Sequence, residues 1–270
     1  MLPFFPAFVP NLLQAAPFAL AFCFLCARPL RAHPGPFYAL WGVAAVAAFW
    51  HDPAAAPPAL DAVMQLLTSA YTGVCLYFVV MFAGALERTP AVKRLLSIRS
   101  ELSVIAGIII AGHLVRVIDF LVLSLTPMWE QIWGQPAAGI MFAAAVVVGL
   151  PLTATFLVPW ITSFKCVRRR LSQKAWKRTQ LLAYPFVLLM AAQGFLLAVG
   201  HLLHGYPYDG QQTLFAIMAD PSAWLATFAQ QVATAWLYLA LGVGYVVLRL
   251  RKRARDRARR EKALAEAAAC

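Results

Sequence analysis

The sequence predicts an all-α, polytopic membrane bundle of about seven transmembrane helices, with the N-terminus outside and the C-terminus inside. Of 270 residues, 62% are hydrophobic and only 13% charged, against about 45–50% and 25% in a water-soluble chain. The apolar residues arrive in runs of about twenty, the length an α-helix needs to cross roughly 30 Å of hydrocarbon. All but one of the basic residues lie in alternate connections between those runs or in the tail. Together these features exclude a soluble enzyme and a disulfide-stapled secreted domain. Unbroken apolar runs also exclude a transmembrane β-barrel, whose strands alternate apolar with polar. In this setting the net charge of +12 matters through its placement in short loops, and no nucleic-acid partner is expected.

The first run covers residues 7–27. Its leading MLPFFPAFVP has no positive n-region and no small-residue cleavage site, so it reads as a first span and not as a removed signal peptide. The second, 36–50, is short and bracketed by Pro34, Pro36 and the segment DPAAAP; a full crossing and a thinned or partly interfacial one both stay open. The remaining runs are 60–86, 102–126, 137–164, 179–203 and 222–248. Twenty-two of the twenty-three basic residues fall after spans one, three, five and seven. By the positive-inside rule that side is cytoplasmic, which places the chain in the plasma (cytoplasmic) membrane with the N-terminus out and the C-terminus in. The same count supports the second span, because deleting it would put basic clusters on opposite sides. Residues 1–250 thus form the bundle and 251–270 a basic cytoplasmic tail, rich in Arg and Ala, expected to lie along anionic headgroups. That tail is too short for a flavin or nicotinamide domain. No Walker loop, dinucleotide GxGxxG turn or HExxH is present, so nothing argues for nucleotide or hydrolytic chemistry.

Ionisable groups at membrane depth carry the functional question. Cys23 and Cys26 have the spacing of a redox motif but sit inside an apolar helix, where a packing role is expected. Span four contains His113, Arg116 and Asp119 in IAGHLVRVIDF, and His113 lies about 17 Å along the helix from its cytoplasmic start. Arg116 is one turn away from both neighbours. One account pairs Arg116 with Asp119 and hydrogen-bonds His113 within the bundle. The other makes His113 a ligand of haem iron and Arg116 the partner of a haem propionate. At the outer face His51, His201 and His204, with Asp52, are either solvated interfacial side chains or a metal or haem site.

Span six carries Gln180 and Gln193, thirteen residues and about 19–20 Å of helix apart, roughly the separation of two haems stacked across a bilayer. Before it come Thr162-Ser163, Arg168 to Arg170 and Trp176-Lys177-Arg178, and Leu182-Ala183-Tyr184 follows; upstream, Arg99 precedes His113 by one basic helix start. Over about 60–215 this pattern resembles the ferric-reductase-like transmembrane family, which includes the haem-binding membrane subunit of the periplasmic methionine sulfoxide reductase system. The resemblance implies haem b between spans four and six, transmembrane electron transfer for a separate redox partner, and electrons arriving from a flavoprotein or quinol. Where that family has two span-six histidines, this chain has Gln180 and Gln193. Gln is a weak neutral donor to iron compared with imidazole. Counting thirteen back from His113 reaches Ser100, so the register sets Ser100 against Gln180 and His113 against Gln193. The alternative function is that of a haem-less relative acting as a membrane scaffold, assembly factor or small-molecule permease.

Overall fold

A computed structural model of the chain describes residues 5–52, 55–133, 136–204 and 220–269, with the side chains of 119–133, 165, 204 and 268–269 outside the described set. The described residues form helices and no strand. In chain order they are α1 (Asn11–Leu25), α2 (Ala27–Ala32), α3 (Pro34–Ala47), α4 (Pro58–Thr68), α5 (Ala70–Ala83), α6 (Pro90–Ser97), α7 (Arg99–Trp133), α8 (Pro136–Ile161), α9 (Lys165–Arg168), α10 (Gln173–Leu181), α11 (Ala183–His204) and α12 (Pro221–Ala269). Each of the seven apolar runs becomes helix.

Among the described residues, four helical stretches are long and apolar enough to cross a membrane: Arg99–Ile118, Pro136–Ile161, Gln173–Leu203 and Pro221–Ala267. The pair α4–α5 makes a fifth if its two bent halves are one span. α1 and α3, at 15 and 14 residues, rise only about 21–23 Å, which is why they fall short of that test. Large side chains on the outer surface are apolar: Leu150 is 70%, Trp236 67% and Val147 65% exposed. A surface of that kind suits lipid and not water, as in a multi-pass membrane protein.

The centre of the bundle is α5. Ten of its 14 residues are buried, as in a helix that is apolar all round. α1 and α7 flank it, α3 lies on the other side of α7, and α7 leads through α8 to α11 and then α12. Leu76, Leu102, Ile105, Ile109 and Val187 are fully buried at these seams. Small residues set the closest approaches. A Cβ at Gly107 would overlap the Trp160 indole, whose Nε1–H donates to Val104 O at 3.3 Å. Gly194 admits the Tyr238 ring at 2.5 Å from the same kind of probe position. These contacts let α7 meet α8, and α11 meet α12, backbone to ring.

The third run is not one straight helix. α4 and α5 meet at 42°, because Ser69 is extended at φ −63°, ψ 132°. Ser69 then caps α5, its hydroxyl accepting from Tyr71 N–H at 3.2 Å, as N-cap serines do. The tail continues the last span without a break: α12 runs for 49 residues. Its Lys252 Nζ donates to Gly84 O at 2.6 Å, and Arg255 pairs with Glu87. Exposed Arg257–Glu261 and Lys262–Glu266 pairs follow one turn apart, a spacing that supports an exposed helix modestly.

Candidate functional site

Two cavities are lined by polar residues from several helices of the bundle. The first, about 500 Å³, lies where the α4–α5 break faces α1 and α7, and its walls include Gln14, Gln65, Thr68, Ser69, Thr72, His113 and Arg116. Breaking the helix frees the last carbonyls of α4, which must find donors when water is excluded. Arg116 supplies one: its Nη2 donates to Thr68 O at 3.1 Å. Its Nε–H is buried with no partner, and so is the Thr72 hydroxyl, on a side chain that is 0% exposed. His113 is an exposed residue on the same wall. The Arg116–Asp119 pairing falls on a side chain outside the described residues.

The second cavity, about 290 Å³, lies between α5, α7, α8 and the α10–α11 start. Ser100 and Gln180 both line it, as do Arg99, Ser103, Arg168 and Trp176. Its apolar side is aromatic. Phe156 and Trp160 stack with centroids 5.6 Å apart and planes 13° from parallel. Tyr77 meets Phe186 edge-on at 5.1 Å and donates its hydroxyl to Ser103 O at 3.2 Å. Gln180 Nε2 donates to Pro159 O and Thr162 Oγ1, both at 3.2 Å. Arg168 lies 4.3 Å over the Trp176 ring, a cation–π contact. The buried Trp176 Nε1–H has no partner, a cost unless an acceptor enters.

The register of spans four and six is thus met at one level and not at the other. Ser100 and Gln180 share a cavity. His113 borders the α1–α4 side of α7, whereas Gln193 Nε2 turns to Ala145 O of α8 at 3.4 Å. Neither place offers iron two imidazoles: His113 alone lines the first cavity and no histidine lines the second. These residues do not fit a bis-histidine haem b.

The three histidines expected to share one face are separated by their bonds. His51 Nε2 bonds Asp61 Oδ1 at 3.0 Å, and Asp61 Oδ2 accepts from Gln65 at 2.7 Å. His201 packs edge-on to Phe142 with centroids 5.2 Å apart, and the side chain of His204 lies outside the described residues. Among the described residues no three His, Cys, Asp or Glu side chains cluster as a metal site would require.

Sequence reading alone passed over Gln14 and Thr72, and took Trp176 only as part of the loop that carries the resemblance, not as a cavity residue. The first two had a visible signal, since a Gln in an apolar first span and the hydroxyls at 68, 69 and 72 are polar groups at depth. Trp176 gave none, because its orphaned N–H exists only once the chain is folded.

No protein-family model matches the chain, and no solved structure does. A protein of Treponema pallidum (strain Nichols), described only as an uncharacterized protein, is 32% identical over 165 residues. The match covers 61% of this chain and 44% of that protein, so the chain spans under half of its relative's length.

Proposed function

We propose that the protein is a ferric-reductase-like subunit of the plasma membrane, with seven crossings, N-terminus out and C-terminus in, that carries electrons across the bilayer for a separate redox partner. The observation that supports it most is the second cavity. Ser100 and Gln180, the two positions that the register pairs near the cytoplasmic end, border one aromatic-walled space. Since that space lacks iron ligands, the group that suits it is a planar ring bearing carbonyl oxygens, of the quinone or flavin class. Such a group takes up and releases electrons together with protons. Phe156 and Trp160 offer it faces, Trp176 an unused N–H, and Arg99 and Arg168 positive charge. The basic loops at 88–99 and 165–178 form, on this topology, a cytoplasmic docking face for an acidic donor protein, beside their contact with anionic lipid.

The test is electron transfer in proteoliposomes holding the full chain, with a reductant inside and an impermeant ferric acceptor outside. Wild type should reduce the acceptor, and Trp176→Phe should slow it at least about tenfold, as loss of a buried hydrogen bond to the ring would. Equal rates in Trp176→Phe and wild type, or none in wild type, would count against it.

A second reading, a haem-less relative acting as a small-molecule permease, is favoured by one observation. The break at Ser69 puts irregular backbone beside a polar cavity at about 16 Å along α4 from its start, an arrangement tolerated in membranes where it lines a cavity.

A further inference from the structure

The first cavity carries a positive charge that the described residues leave without a counter-charge. Among the described residues Arg116 bonds the Thr68 carbonyl, which is neutral. No Asp or Glu borders the cavity among the described residues. Asp61, which touches the wall residue Gln65, is already held by His51 and by Gln65 itself. A guanidinium at this depth is costly unless compensated.

Three features of the same wall call for an oxyanion. Arg116 Nε–H and the Thr72 hydroxyl are buried and both lack acceptors. Thr72 is 0% exposed, toward the cavity as well as outside, so no water satisfies its hydroxyl in this conformation. It sits in the first turn of the 14-residue α5, where the helix dipole favours negative charge. About 500 Å³ is within the size range of small-molecule sites. Asn11 and Gln14 of α1 and Gln65 of α4 add polar groups at the rim.

We infer that the cavity at the α4–α5 break binds a small organic monocarboxylate, with Arg116 and Thr72 of its lining turning their unpartnered Nε–H and hydroxyl to the ligand's oxygens. The site is independent of the redox reading. It names the chemical class for the permease reading, and rests on that reading only if the ligand is also moved across the membrane.

The experiment is binding to the purified full chain in nanodiscs, read by thermal unfolding and calorimetric titration. The probes are benzoate, its neutral counterpart benzyl alcohol, and glycerol phosphate as a headgroup analogue. Benzoate should stabilise the wild type, with benzyl alcohol and glycerol phosphate much weaker. Thr72→Val, which keeps the side-chain shape, should weaken benzoate about tenfold or more, and Arg116→Gln should abolish it. Three results would each overturn the assignment: equal binding of benzyl alcohol, stronger binding of glycerol phosphate, or benzoate affinity unchanged in Thr72→Val. So would the lack of any benzoate effect at tens of millimolar. Because the readout is binding in the absence of any redox donor, failure here leaves the electron-transfer test untouched, and the reverse.

Discussion

Arg116 and Thr68 are joined by a hydrogen bond from the guanidinium Nη2 to the main-chain carbonyl, 3.1 Å long and spanning 48 positions of sequence. One side chain of α7 therefore closes the open end of α4 and borders the polar cavity beside it. In Arg116→Met the carbonyl loses its side-chain donor, and a loss of about 1–3 kcal/mol is expected. Thermal unfolding in detergent measures this, and hydrogen exchange should rise locally over 64–72. Unchanged exchange there would show that the break does not depend on Arg116.

Gly107 tests the packing of α7 on α8. A methyl at this position overlaps the Trp160 indole and disturbs its bond to Val104 O. Gly107→Ala should destabilise by about 1–3 kcal/mol, the usual cost of overpacking. Gly244, which has open space around its Cβ position, supplies the control: Gly244→Ala should be neutral or slightly stabilising, since Ala is the better helix former.

The start of α12 should be acid-sensitive. The Asp220 carboxylate accepts from the Ser222 hydroxyl at 2.7 Å and from Ala223 N–H at 2.9 Å, and these bonds hold its pKa below the ordinary value. Its contribution is present above the ordinary carboxylate range, about 3.9, and fades as pH falls through the lowered value. Hydrogen exchange over 221–226 should increase at acid pH in wild type and lose that dependence in Asp220→Ala.

The proposed topology rests on the placement of charge. Reporters fused after Arg260 and within 165–178 should behave as cytoplasmic, and reporters at 127–136 and 205–221 as external. A single loop on the wrong side would remove the common cytoplasmic origin from which Ser100 and Gln180 were set in register.

The apolar runs were enough to read the helices, because each run is long, continuous and bounded by proline or charge. The bend at Ser69 was not readable. Residues 60–86 contain no proline within the run after Pro58, and Ser69 breaks the helix in company with a residue of a distant helix. Position along a helix axis was legible and rotation about it was not. Ser100 and Gln180 came together because their level and their facing agree. His113 and Gln193 have similar depth, but α8 takes the Gln193 amide and α7 turns His113 toward α1 and α4. Sequence spacing fixes the rise along an axis closely, while the face that meets a neighbour depends on which helix packs there.

The most direct measurement is the visible spectrum and organic extract of the protein purified from its native membrane. Expected is about one quinone or flavin per chain, reducible in place and lost with Trp176→Phe, without haem bands. A low-spin haem b spectrum, or a chain with no redox group that still folds, would contradict the electron-carrying reading built on the Ser100–Gln180 cavity.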